Sequence, residues 1–186
     1  MASLPQVLKR RLVAQSRFFR VEEMDLEFAN GVRRTYERLQ PGRREAVIVV
    51  AINDDNEVLL IREYAAGFHE MQLTLPKGAT ENNETVEEAA NRELKEEVGF
   101  GARSLTHLKR LNLAPGHMGF TINVVLARDL YPEQLQGDEP EPPEVVPWAY
   151  TDLDGLLTAN QFNEARAIAA LTLVRLHMEQ LSLAAH

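Results

Sequence analysis

The order of apolar patterns along the 186-residue chain predicts an α+β fold arranged as an α/β/α sandwich. Three observations carry this expectation. Strand-length apolar runs dominate the middle of the chain. One helical pattern interrupts them near residues 85–97, and a second, longer one closes the chain after residue 163. Strands and helices do not alternate one for one, as a βαβαβ array would require.

Taken in order, Val21–Phe28 alternates as a strand, Asn30-Gly31 signals a two-residue hairpin, and Val32–Leu39 returns. Ahead of them, the first twenty residues hold five Lys or Arg and no Asp or Glu. That stretch suits a basic extension or a first strand better than an organelle transit peptide. The apolar run Ala46–Ile52 reads as a buried strand, Asn53–Asn56 as a turn and Val58–Arg62 as another strand. Residues 1–45 therefore form an N-terminal β-hairpin arm, and residues 46–186 the main domain. Met71–Leu75 is a further strand, ending at Pro76-Lys77-Gly78. Thr85 and Glu88 have the spacing of a capping box, which opens a helix stopped by Gly99. Leu105–Leu113 and Phe120–Arg128 read as strands. Gly137–Pro147, with four prolines and four acids, is a loop long enough to suggest a job. Val145–Tyr150 makes a last short strand, Asp152–Thr158 a short helix, and Asn163–Leu183 a long amphipathic one.

Composition narrows the function. There is no cysteine, which removes disulfides, thiolate zinc sites and thiol nucleophiles. A net charge of −8 argues against nucleic-acid binding, which needs a basic footprint. The longest apolar runs are too short to span a bilayer, so no membrane role is expected and the cytoplasm is the expected location. An acidic protein can still hold a phosphorylated substrate if a cation mediates the contact.

The central helix offers a place for that cation. At about 100° per residue, Glu97 falls about 40° to one side of Glu93 and Glu96 about 60° to the other. Three carboxylates thus share a face, with Ala89 and Ala90 leaving space beside them. An ordinary run of Glu at such spacing is most often a solvated acidic face. Here the acids lie between a Gly-terminated strand and a Gly-stopped helix, and clustered carboxylates are what a hard cation such as Mg²⁺ requires.

Gly78, Glu84, Arg92, Glu93, Leu94, Glu96, Glu97 and Gly99 resemble the Nudix box, G-x5-E-x7-R-E-U-x-E-E-x-G-U, with U a bulky aliphatic residue. Every spacing agrees, and the one departure is Phe100 at the final U position, still apolar. The resemblance implies a Nudix-type α/β/α sandwich on a mixed sheet. It implies that Glu93, Glu96 and Glu97, with the main-chain carbonyl of Lys77, bind Mg²⁺, with Mn²⁺ as an alternative. Glu93 and Glu97 are also the candidates to act on the attacking water. Arg92 would orient a glutamate by ion pairing, while Gly78, Glu84 and Gly99 would be structural. The implied reaction is hydrolysis of a nucleoside diphosphate linked to another group.

Pro115, sixteen residues after Gly99 in Leu113-Ala114-Pro115-Gly116, resembles the ADP-ribose-type branch of the family, although Pro-Gly is also a common turn. Thr74 and Lys77 depart from the Glu and Ala that this branch often carries. Val58–Tyr64 likewise resembles the strand before the box in the ADP-ribose-type branch, while Leu26–Arg34, Ala90–Gly101, Asp129–Glu133 and Phe162–Arg166 resemble the branch acting on ADP compounds. It implies ADP-ribose, NADH and diadenosine polyphosphates as substrates, AMP and X-phosphate as products, and a homodimer joined through the N-terminal arm. GDP-mannose or another nucleotide sugar is the alternative substrate class. A non-catalytic Nudix-fold sensor of ADP-ribose or NAD is the alternative function. Glu139, with Glu141 second, is the expected loop carboxylate serving the water. Arg62 and Arg38 are candidates to grip phosphate or ribose, and Phe19 to stack on adenine. Each has an ordinary surface or core role as its plainer use.

Overall fold

The computed structural model describes residues 3–184 except Pro41, Arg43, Asn82 and Asp138. Its chain divides into two compact units, one comprising the strands before residue 43 with Asn112–Thr121, the other Arg44–Leu111 with the residues from Ile122 onward.

In the first unit, β1 (Gln6–Gln15) pairs antiparallel with β2 (Arg20–Glu27), and β2 pairs antiparallel with β3 (Arg33–Leu39). The sheet is sorted by charge. Acidic β2 lies between basic β1 and β3, and opposite charges facing each other across antiparallel strands favour their pairing. Arg11 meets both Glu23 and Asp25, Arg33 lies 2.6 Å from Glu27, and Arg38 lies 2.7 Å from Glu22. The basic N-terminal stretch is therefore largely a first strand. The hairpin at Asn30-Gly31 is present, but it is not the two-residue turn its dipeptide suggests. The Phe28 amide donates to the Val32 carbonyl, the Gly31 amide donates back to Phe28, and only Gly31 has positive φ, at 79°. That is a three-residue loop with Gly31 in the left-handed position, and the Asn30 side chain accepts the Val32 amide at 3.1 Å.

The second unit is built on β4 (Ala46–Ala51), whose residues from Val47 to Ala51 have no solvent exposure. β4 runs parallel to β9 (Thr121–Pro132) and antiparallel to β7 (Lys77–Ala79). With β8 (Phe100–Asn112) they make a mixed sheet in the order β7-β4-β9-β8. A second sheet, β10-β5-β6, joins β10 (Glu144–Ala149), β5 (Glu57–Ala65) and β6 (Glu70–Thr74). Strand alternation sends Val47, Val49 and Ala51 into one core with Leu59, Ile61 and Ala89, Ala90, Leu94 of helix α1 (Val86–Glu97). The opposite face of β4 is met by α3 (Ala165–Ala184), which follows the short α2 (Leu153–Thr158). This is the expected α/β/α sandwich. The capping box is formed: the Glu88 amide donates to the Thr85 hydroxyl at 3.2 Å, and the Thr85 amide donates to the Glu88 carboxylate at 2.8 Å. α3 differs from the two-faced helix its pattern suggested, since Leu176, Leu181 and Leu183 are exposed and burial is confined to its first half. Among the described residues no helix is long and apolar enough to cross a membrane.

Candidate active site

The turn from β7 into α1 assembles the site. Gly78 lies against Glu93, so that a Cβ there would fall inside the Glu93 carboxylate. Glu93 is itself buried. Arg92 relieves the like-charge crowding that the three glutamates impose. Its Nε and Nη2 donate to the two oxygens of Glu84 at 2.8 and 3.1 Å, and Nη1 donates to Glu93 at 2.8 Å and Glu96 at 3.0 Å. Nη2 also donates to the Ala79 carbonyl at 2.9 Å, which uses the planar fork of the guanidinium on four acceptor groups at once. The Glu84 bond is the largest influence raising the Arg92 pKa further, and the same bond holds Glu84 below the usual carboxylate range. Glu84 also accepts the Glu81 amide at 2.7 Å, closing the loop ahead of the helix.

Glu97 turns the other way, and its carboxylate accepts the Lys77 amide at 2.9 Å. Burial pushes its pKa up to about 8. The Lys77 amide and charge pull it back, while Glu93 and Glu63 push it further. Glu93, Glu96, Glu97 and Glu139 line one hollow of about 450 Å³. A neighbouring hollow of about 510 Å³ shares Glu97 and Glu139 and adds Arg62, Glu63 and Glu141. The loop carrying Glu139 is fastened at both ends. On one side the Gln134 side chain donates to the Glu96 carbonyl at 3.0 Å, and the Leu135 amide donates to the Lys95 carbonyl at 3.2 Å. On the other, Arg62 donates to Glu144 at 3.2 Å. Gly99 at φ 81° permits this close passage, since a Cβ there would sit 2.6 Å from the Gln134 oxygen.

Arg38, Phe19 and Pro115 lie in the first unit. Arg38 is engaged by Glu22, and with Pro115 it borders a hollow of about 410 Å³ containing Met24, Leu26 and Tyr36. Phe19 is 56% exposed and its amide donates to Ser16. Reasoning from sequence passed over Glu63. The polar residues Arg62-Glu63-Tyr64 at the end of an otherwise buried strand were the signal that could have found it.

The carboxylates lining the hollow of Glu93, Glu96, Glu97 and Glu139 suit a hard divalent cation, which takes oxygen ligands. The electrostatics agree: burial, with a smaller push from Glu93 and Glu63, drives Glu97 toward protonation, while Arg92 pairs with Glu93 and Glu96. Among the described residues no three acidic or imidazole side chains are gathered into a ready-made coordination shell. Arg92 engages two of the three helix glutamates and the Lys77 amide engages the third.

Comparison with known proteins agrees with this geometry. Residues 42–171 match the NUDIX domain, and residues 5–38 match the NudE-type Nudix hydrolase N-terminal domain. The chain is 54% identical to the ADP compounds hydrolase NudE of Escherichia coli over 92% of its own length and 91% of that protein's. It is 27% identical to the ADP-ribose pyrophosphatase of Bacillus subtilis over 91% and 94% of the two lengths. A crystal structure of an ADP compounds hydrolase superposes with a TM-score of 0.93 at 51% identity, covering 97% of each chain.

Proposed function

The chain belongs to the Nudix hydrolase family and is a pyrophosphohydrolase, and from that premise we propose that it splits the phosphoanhydride bridge of ADP-containing nucleotides, ADP-ribose, NADH and diadenosine polyphosphates among them. The products are AMP and the phosphorylated remainder. The observation that carries this reading is the hollow in which Glu93, Glu96, Glu97 and Glu139 meet. The similarity to a NudE-type ADP compounds hydrolase, in both units of the chain, supports the choice of substrate.

Nudix hydrolases use a divalent metal, here taken to be Mg²⁺, with Mn²⁺ as a substitute. When bound it neutralises phosphate charge and makes a water easier to deprotonate. Glu93, Glu96, Glu97 and the Lys77 carbonyl would hold it. Arg92 keeps Glu93 and Glu96 from drifting apart under their mutual repulsion, and Glu84 keeps Arg92 in place. Glu139 accepts the proton of the attacking water as its oxygen bonds to one phosphorus and the bridging P–O bond breaks. The electron pair of that bond leaves with the departing phosphate. Arg62 stands on the wall beside Glu139, suited to the second phosphate. A homodimer and a cytoplasmic location complete the proposal, supported by the likeness to an Escherichia coli ADP compounds hydrolase and by the match of residues 5–38 to a NudE-type N-terminal domain.

The deciding experiment incubates the protein and Mg²⁺ with ADP-ribose, NADH, diadenosine triphosphate and GDP-mannose, and separates the products by chromatography. AMP from the first three, with GDP-mannose spared, is the expected result. Preferred cleavage of GDP-mannose would overturn the substrate, and tight binding of ADP-ribose without turnover would overturn catalysis.

A further inference from the structure

Lys77 touches two carboxylates with two different groups. Its main-chain amide donates to Glu97 at 2.9 Å, while its ammonium bonds Glu63 on β5. Lys77 is therefore the crossing point between an acid of the α1 face and an acid that belongs to neither the helix nor the loop. The side chains of Lys77 and Glu63 are only 11% and 30% exposed, so the ammonium is mostly removed from water and depends on its partner for compensation. Glu63 and Glu97 border the same hollow, and the charge of Lys77 bears on Glu97.

We propose that Glu63 is a positioning residue that sequesters the Lys77 ammonium, keeping it off Glu97 so that Glu97 remains open to a divalent cation. The physical ground is competition. A mostly buried ammonium bonded to one carboxylate and acting by charge on a second turns to the second when the first is lost, and an ammonium on Glu97 opposes a metal there by charge repulsion and by occupying its oxygens. Removing Glu63 frees the ammonium to pair with Glu97, the carboxylate that should take the metal and that shares the hollow with Glu63. Removing both members of the pair leaves the Lys77 amide on Glu97 and takes the ammonium away. The damage from losing Glu63 is thus conditional on the lysine being present, which an ordinary packing role would not produce.

The inference rests on the reading of Glu97 as a metal ligand, and the test separates the two. Mn²⁺ binding is measured by electron paramagnetic resonance, without substrate, for the natural protein and for Glu97→Gln, Glu63→Gln, Lys77→Met and Glu63→Gln/Lys77→Met, with thermal melts of each. Glu63→Gln is expected to weaken Mn²⁺ binding by about tenfold or more, Lys77→Met to leave it equal or tighter, and the double variant to return to within about threefold of the natural protein. Unchanged binding in a folded Glu63→Gln, or a double variant no better than Glu63→Gln, overturns the inference. If Glu63→Gln does not fold, Lys77→Met decides alone: a tenfold loss of Mn²⁺ affinity there would show the ammonium aiding the metal, contrary to the proposal. Equal Mn²⁺ binding by the natural protein and Glu97→Gln would instead overturn the ligand reading.

Discussion

Gly78 and Glu93 share a space that admits one carboxylate and no additional carbon, because a Cβ on residue 78 would fall among the Glu93 carboxylate atoms. The backbone at Gly78 is not left-handed, so the requirement for glycine is close approach alone. Gly78→Ala is expected to displace the Glu93 side chain, lower kcat by at least about a hundredfold and cost about 1–3 kcal/mol. Steady-state kinetics and a thermal melt check this. The Gly78→Ala/Glu93→Ala double variant should recover the melting temperature without recovering activity. A fully active Gly78→Ala protein would remove Glu93 from the machinery.

Glu97→Gln keeps the shape of the side chain and removes its charge. Turnover is expected to fall by about a hundredfold or more in a protein that still folds. Near-normal turnover would show that Glu97 does not hold the metal.

The same carboxyl gives a pH signature in the metal-free protein. Its folded pKa, about 8, lies above its ordinary value of 4.5. The stability it contributes is fully present below about pH 4.5 and is lost as pH rises through about 8. Denaturant titrations across that window should show metal-free natural protein losing stability relative to Glu97→Gln. Added Mg²⁺ should cancel or reverse the difference by favouring the ionised form. Parallel curves for the two proteins would contradict the burial-driven shift.

The loop supplies a matched pair of substitutions. Glu139 borders both hollows, whereas Glu141 borders only the one that lacks Glu93 and Glu96. Glu139→Gln should lower kcat far more than it changes KM, since its role exists only as the nucleophile forms. Glu141→Gln should change little. The reverse pattern would mean the right loop with the wrong carboxylate, and silence from both would move the base to the helix glutamates, Glu93 first.

Light scattering is expected to give a homodimer. The outer strand of the first unit, β1, is exposed along its whole length and presents Val7, Leu8, Leu12 and Val13. An active monomer would show the expectation to be wrong.

The site was legible in the sequence to the extent that chemistry fixes spacing. Arg92, Glu93, Glu96 and Glu97 must share one helix face, and Thr85 must cap that helix three residues before Glu88, so local rules recover both. The sandwich followed from the order of apolar patterns. What escaped depends on residues distant in the chain. Glu63 joins the site only because β5 carries it to Lys77, fourteen positions away. Gln134 matters because its loop returns across the end of α1. The turn at Asn30-Gly31 was recognised but its length was not, because a dipeptide marks where φ turns positive and not how the flanking strands register.

The charge sorting of the first sheet also dictates which strands are allowed to meet. β1 against β3 would set arginine against arginine, and β2 against another β2 would set acid against acid. The native register instead sets Lys9 against Asp25, Arg11 against Glu23, Glu22 against Arg38 and Glu27 against Arg33, although it also sets Glu23 against Glu37. A strand with Leu and Val at an open edge is normally a hazard for sticking to its own kind. Here Lys9 and Arg10 make that edge choosy, and only while ions are scarce. At about 1 M salt, where charges are screened beyond about 3 Å, the selectivity should fade and indiscriminate edge-to-edge association should begin.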